Sequence, residues 1–211
     1  MNEINDSNNQ FLNPWFSMWT KPRATIQQIV DSNSDRFILL LAAISGVSHM
    51  LSRAMGKNWG DKMELYYIIV FVAIIAPLAG ILYLYLSSVI IQWTGKWLGG
   101  LASLENIRAA IAWSNVPIIL SLVVWLFWIV LSGQKLFTAQ IPEMNANPLM
   151  FFIYTGFTVM NVIIVVWSIV IMLKSLGQVQ GFSTWKALGN VLISVMFLVI
   201  PVVLLLFIMV W

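Results

Sequence analysis

The chain has 211 residues, of which 60% are hydrophobic and 9% are charged, with a formal net charge of +3 and no cysteine. A water-soluble domain could not bury that much apolar surface, so an ordinary globular protein is excluded. Without cysteine there are no disulfides and no thiolate chemistry, and the small, scattered positive charge argues against nucleic acid and favours loops beside anionic headgroups. The composition therefore predicts an all-α polytopic integral membrane protein.

Residues 1–35 are predicted to form a cytoplasmic amino-terminal region ahead of a membrane domain at 36–211. Residues 1–10 are polar and rich in asparagine, so they carry too little apolar surface to order themselves. Residues 11–30 mix aromatic and basic side chains, a combination favoured at the boundary between lipid and water: Phe11, Trp15, Phe16, Trp19, Lys21 and Arg23.

Pro22 suits the first turn of a short helix capped by Thr20. The apolar face of that helix holds Ile26, Ile29 and Val30. We expect a short interfacial amphipathic helix here, and an aromatic segment that covers the end of the bundle is the alternative. Pro22 and Arg23 are candidate interaction residues in either case.

Five charge-free blocks follow, at 37–52, 65–95, 109–134, 144–173 and 187–211. A charged side chain at mid-membrane costs about 2.5–3.5 kcal/mol and a span needs about 20 residues, so charges confined to the gaps mark helix ends. We therefore expect five transmembrane helices, near residues 36–55, 65–93, 107–132, 147–173 and 185–211. The first span is short. We expect the long side chains of Arg36 and Arg53, at its two ends, to snorkel outward to the headgroups and so lengthen the segment that can cross the membrane.

The second span contains Pro77, where we expect a kink because proline cannot donate a backbone hydrogen bond. Ala76 and Gly80 lie one turn apart beside it. Small residues at this spacing predict the close approach of a neighbouring helix.

The third span contains polar Ser114 and Asn115 followed by Pro117, inside a run that is otherwise apolar enough to cross a bilayer. The proline ring should displace the carbonyl of Trp113, which then needs another partner. We expect Asn115 to be buried and to bond across to the fourth span, at Asn161, Thr158 or Thr155. The alternative is that Asn115 lies among the headgroups and bonds to water.

Lysine and arginine placement predicts a cytoplasmic amino terminus and an external carboxyl terminus in the cytoplasmic membrane. Seven basic residues then lie inside: Lys21, Arg23, Arg36, Lys96, Arg108, Lys174 and Lys186. Four lie outside: Arg53, Lys57, Lys62 and Lys135.

The two predicted inner loops resemble each other, which suggests a parallel repeat of spans two to three and four to five. Gly99, Gly100 and Ser103 precede the third span as Gly177, Gly181 and Ser183 precede the fifth. Each serine is a candidate cap for the helix that follows it.

The residues available for chemistry are few. The single histidine, His49, lies near the outer end of the first span, one turn from Arg53. We treat it as a candidate ligand whose more ordinary role is a hydrogen bond within the bundle or at the interface. One histidine without cysteine cannot assemble a zinc or bis-histidine haem site, no phosphate-binding loop is present, and the carboxylates all lie outside the spans. We expect no cofactor, no metal, no nucleotide and no enzymatic activity.

The segment KPRATIQQIVD at 21–31, the break AWSNVP at 112–117 and the five-span order together resemble the Yip family, whose eukaryotic members are the Ypt-interacting proteins. The acidic-Leu-Tyr-Gly-Pro motif of those eukaryotic members is absent, so the chain looks more like the bacterial-type members. The resemblance implies a helical membrane protein that works through contacts. Some bacterial members accompany ABC-type transporters or envelope-stress systems, which makes these the candidate complexes.

We therefore expect a non-enzymatic interaction or assembly factor that binds another integral membrane complex through its helices. A small transporter or channel subunit, lined by neutral polar side chains such as Ser114 and Asn161, is the alternative. The predicted partners are the lipid bilayer, another integral membrane protein such as an ABC-type transporter, and a second copy of the chain. The candidate structural or interaction residues are Pro22, Arg23, Ala76, Pro77, Gly80, Trp113, Ser114, Asn115, Pro117 and Asn161.

Overall fold

The computed structural model describes residues 11–32, 37–140 and 147–210, with side chains up to Ile200. The described chain is helical and contains no strand. Its α-helices are α1 Pro14–Thr20, α2 Pro22–Asp31, α3 Ile38–Gly56, α4 Leu65–Trp97, α5 Leu104–Ser114, α6 Val116–Ser132, α7 Pro148–Gln180 and α8 Thr184–Val210. Short 3-10 helices at Trp59–Asp61 and Gly133–Phe137 follow α3 and α6. The predicted tail at 1–10 and the snorkelling residue Arg36 lie outside the described residues.

Four segments are long and apolar enough to cross a membrane: Ile38–Gly56, Leu65–Trp97, Leu104–Phe137 and Pro148–Gln180. The predicted all-α membrane fold is therefore confirmed. The fifth span stays a prediction: α8 is apolar over Thr184–Ile200 and remains helical to Val210, but the shorter stretch does not by itself reach spanning length.

Two helices precede the first span where one was predicted. In α1 the Asn13 side chain accepts a hydrogen bond from the Trp15 N–H at 3.1 Å, which caps a helix that the sequence had not indicated. Pro22 opens α2 as expected. The cap prediction was wrong, because Thr20 is the last residue of α1 and Lys21 takes the cap position without a side-chain hydrogen bond.

The bundle has two ends, which we name by the helix termini that meet there. At the basal end lie α1, α2, the ends of α4 and α7, and the starts of α5 and α8. At the distal end lie the end of α3, the starts of α4 and α7, and the end of α6. Each end has its own hydrophobic cluster, a basal one around α5 and a distal one around α6 and the start of α7.

The two basal turns are built alike. Both α4 and α7 have 33 residues and are followed by a glycine in the left-handed region: Gly99 at φ 80° comes after the C-cap residue Leu98, and Gly181 at φ 71° is itself the C-cap. The predicted caps are confirmed, because Ser103 accepts from the Asn106 N–H and Ser183 from the Lys186 N–H, each at 3.2 Å. These parallels agree with the repeat, which remains a prediction.

Candidate interaction site at the helix break

The third span is divided into two helices. α5 ends at Ser114 and α6 begins at Val116, so Pro117 lies in the first turn of a new helix, where its missing N–H leaves no hydrogen bond unmade. The Asn115 N–H turns back to the Ala112 carbonyl at 3.2 Å. We call Ser114 to Pro117 the helix break.

Serine hydroxyls from the neighbouring helices bond the backbone around the helix break. Ser168 of α7 donates to the Ser114 carbonyl at 2.7 Å, and Ser48 of α3 donates to the Ile118 carbonyl at 3.0 Å. All four residues are buried. A carbonyl without a donor would cost several kcal/mol in hydrocarbon. Ser168 therefore joins α7 to the end of α5, and Ser48 joins α3 to α6 at a carbonyl that also accepts from Ser121 at 2.6 Å. The interhelical bond goes to Ser114, one residue beyond the predicted Trp113.

The predicted partner of Asn115 was wrong. Its amide donates to the Ile111 carbonyl of its own helix at 3.0 Å, and its side chain lies beside the His49 imidazole of α3. Asn161 and Thr158 likewise bond to carbonyls one turn back in α7, at 2.9 Å and 3.0 Å. A short polar side chain can reach the carbonyl one turn back in its own helix, and this local bond outcompetes the interhelical one.

His49 is exposed at the surface of the bundle. It lies about 16 Å along α3 from Ile38 and about 10 Å before Gly56, at 1.5 Å per residue, within the apolar segment Ile38–Gly56. Arg53, one turn further on, is also exposed. The structure thus brings His49 and Asn115 together into one partly exposed polar pair at the helix break.

Trp113 packs against aromatic side chains from the amino-terminal part of the chain. It is 2% exposed, and its ring meets Trp15 at 5.6 Å and Phe37 at 6.4 Å between centroids, both edge to face. Its indole N–H has no hydrogen-bond partner among the described residues. Trp113 therefore anchors α1 to α5.

Ala76 and Gly80 lie where α4 crosses α3. A Cβ on Gly80 would collide with the Ala42 carbonyl and would lie 3.0 Å from the Cα of Gly46, and a Cβ on Gly46 would collide with the Ala76 carbonyl. The backbones therefore pack directly against each other. Ala42 and Gly46 were missed in the sequence, although they have the same four-residue spacing of small residues. Pro77 lies inside α4, which stays helical through it.

The amino-terminal candidates pack on the basal end. Pro22 is buried, and the exposed Arg23 donates through Nη2 to the Thr184 hydroxyl at 3.0 Å. Met18 and Ile26 are fully buried in the basal cluster. α1 and α2 thus cover the end of the bundle, as in the alternative interpretation of this segment. Whether they also lie at a lipid interface remains a prediction.

A second polar cluster was not anticipated. Thr94 of α4 donates to Asn190 Oδ1 of α8 at 2.6 Å and lies 2.7 Å from the Ser194 hydroxyl, while Asn190 donates to the Ile91 carbonyl at 3.2 Å. Thr94 and Asn190 are fully buried. The spacing of Asn190 and Ser194 within an otherwise apolar helix was the available signal. This cluster joins α4 to α8.

Within the part of the chain that the structure describes, no group of three His, Asp or Glu side chains could hold a metal ion. The polar groups near the helix break are hydrogen-bonding groups that join helices.

The long apolar helices and the polar contacts between them define a polytopic helical membrane protein. A family model for the Yip1 domain matches residues 16–208, which is nearly the whole chain, and the protein therefore belongs to the Yip1 domain family. No curated protein and no solved structure matches the chain.

Proposed function

We propose that this Yip1-family membrane protein is a non-enzymatic interaction or assembly factor that binds another integral membrane protein laterally through its transmembrane helices. We further propose that the protein lies in the cytoplasmic membrane, with its amino terminus in the cytoplasm. An ABC-type transporter or an envelope-stress complex is the candidate partner, and a second copy of the chain is the other.

The exposure of His49 carries the proposal. Lipid tails offer no hydrogen bond, so a polar side chain inside a span normally faces the bundle or a water-filled path. Ser48, Ser114 and Ser168 follow that rule, because all three are buried and bonded. His49 lies beside Asn115 yet stays exposed, which leaves imidazole surface for a polar group on a partner helix.

Copurification in mild detergent tests this assignment. His49→Leu should reduce recovery of a defined membrane partner about 3- to 18-fold, because interhelical hydrogen bonds contribute about 0.6–1.7 kcal/mol. His49→Gln should retain part of the recovery. Val123→Ala, at a position on α6 that is 69% exposed, is the matched control and should leave recovery unchanged.

The transporter alternative has one structural argument, since α6 begins inside an apolar segment and discontinuous helices can line a solute path. Solute flux from the purified protein in liposomes, abolished by His49→Leu, would favour it. Equal partner recovery from wild type and His49→Leu, with both proteins folded, would overturn the lateral-binding site.

A further inference from the structure

Four large apolar side chains at the basal end are mostly exposed. Phe11 is 88% exposed, Phe16 74%, Leu101 91% and Trp185 82%. They come from three separate parts of the chain: the α1 region, the α4–α5 loop and the start of α8. Large exposed apolar side chains that gather at one end of a bundle mark a contact surface.

Hydrogen bonds hold the three parts together. Arg23 links α2 to Thr184 of α8, and Gln178 of α7 donates to the Gln27 side chain of α2 at 3.1 Å. Gln92 of α4 donates to the Ala102 carbonyl at 3.1 Å, which fixes the α4–α5 loop. The four apolar side chains therefore project from connected segments of one scaffold.

The same end is basic. Its described basic residues are Lys21, Arg23, Lys96, Arg108, Lys174 and Lys186, and its described acidic residues are Asp31 and Glu105. Lys21, Arg23, Lys96 and Lys186 are exposed. Basic side chains next to apolar anchors are the pattern that binds anionic membrane surfaces.

The length of α4 indicates where the basal end lies relative to the bilayer. From Tyr67 to Trp97, α4 rises about 45 Å at 1.5 Å per residue, close to the 40–45 Å thickness of a bilayer with its headgroups. Tyr67 is 59% and Trp97 57% exposed, as expected for aromatic side chains at the two interfaces. With Tyr67 at one interface, Trp97 and the neighbouring basal loops reach the other.

We propose that the basal end is a docking surface for the headgroup region of an anionic lipid leaflet. Phe11, Phe16, Leu101 and Trp185 insert between the lipids, while Lys21, Lys96 and Lys186 bind their phosphates. The surface is independent of the lateral site at His49 and lies at the opposite end of α4 from Tyr67.

The binding of anionic lipid by the basal lysines can be tested by identifying the lipids that the protein retains on extraction. The protein is extracted with copolymer from membranes of phosphatidylcholine with a minor fraction of phosphatidylglycerol, and the retained lipids are quantified. Wild type should enrich the anionic lipid, by up to about five-fold for each lysine that reaches a headgroup, and 1 M salt should suppress the enrichment. Substituting Lys21→Gln, Lys96→Gln and Lys186→Gln together should remove it.

The distal triple variant Arg53→Gln, Lys57→Gln and Lys62→Gln is the matched control, since these three basic residues are exposed at the other end. It should keep the enrichment. If both triple variants retain the anionic lipid equally, the basal lysines do not bind it and the proposal is overturned.

Cysteine labelling tests the apolar part without depending on those variants, because the natural chain has no cysteine. An environment-sensitive dye at Phe16→Cys or Leu101→Cys should report an apolar surrounding in anionic nanodiscs, whereas the exposed Glu105→Cys position should report water. Water-like emission at Phe16→Cys and Leu101→Cys would overturn the insertion of these side chains between the lipids.

Discussion

The basal and distal halves of the protein are packed with different kinds of side chain. The basal cluster is centred on α5, which contributes the small residues Ala109, Ala110 and Ala112 as well as Trp113. In the distal cluster three rings pack together: Phe157 lies 5.2 Å from Trp125 and 5.0 Å from Trp128 between ring centroids. Small side chains allow α5 to lie in contact with α1, α2, α3, α4 and α7 at once, whereas large rings fill the space between α6 and α7.

The halves also differ in how polar groups are used. Many helix ends meet at the basal end, and each helix end carries backbone groups that its own helix does not satisfy. Thr94 and Asn190 are fully buried there and bond α4 to α8. In the distal half the side-chain bond between Tyr154 and Ser132, 2.6 Å long, joins α7 to α6. The comparison indicates that the basal half combines a buried polar cluster with the ring contacts of Trp113, whereas ring packing predominates between α6 and α7.

The largest effect is expected where the two halves join. Ala42 belongs to the basal cluster and Ala76 to the distal one, and Gly46 and Gly80 pack between them. Gly80→Leu should abolish folded protein, because even a Cβ collides with backbone there and overpacking commonly costs about 1–3 kcal/mol where atoms can still shift. Abundance and size-exclusion profile in detergent measure the effect.

Gly156→Leu is the control, since no heavy atom lies within 4 Å of a Cβ at that position of α7. Normal abundance of Gly80→Leu with loss of a solute flux would contradict the packing role and show that this face lines a path.

A smaller loss of stability is expected when hydrogen bonds are removed, and its size should differ between the basal and the distal half. Asn190→Leu removes the bonds to Thr94 and to the Ile91 carbonyl at a fully buried position, so it should lower the free energy of unfolding by about 1–3 kcal/mol. Tyr154→Phe removes one distal bond and keeps the ring, so its cost should be about 0.6 kcal/mol. Thermal unfolding in detergent compares the two. A larger loss for Tyr154→Phe would reverse the contrast between the halves.

An effect as small as that of Tyr154→Phe is expected at the helix break. Asn115→Leu removes the bond to the Ile111 carbonyl of its own helix and the polar contact with His49, so a modest loss of about 0.6 kcal/mol should follow. A cysteine at position 115 should resist a membrane-impermeant thiol reagent, whereas a cysteine at the exposed position Glu105 should react. Rapid labelling at 115 with unchanged stability would place the helix break in water.

Local sequence patterns predicted several local features, although they missed α1 and wrongly placed the cap of α2 at Thr20. The helix boundary at Ser114 to Pro117, the caps at Ser103 and Ser183 and the start of α2 at Pro22 depend on residues within one or two turns, and the structure has them. The interhelical partners of these features depend on residues far away in the chain. The spacing of hydrophobic residues along the chain does not show which distant side chain will donate a hydrogen bond to a given carbonyl.

The sequence by itself determined the class of protein, since charge-free runs of spanning length can satisfy their backbone only as helices in a membrane. It also determined where one span had to be interrupted. Only the tertiary structure decided that Ser168 and Ser48 bond the interrupted backbone, that Asn115 pairs with His49 and that Gly46 meets Gly80. Those choices depend on the depth and rotation of whole helices against each other, which packing of all the side chains sets together.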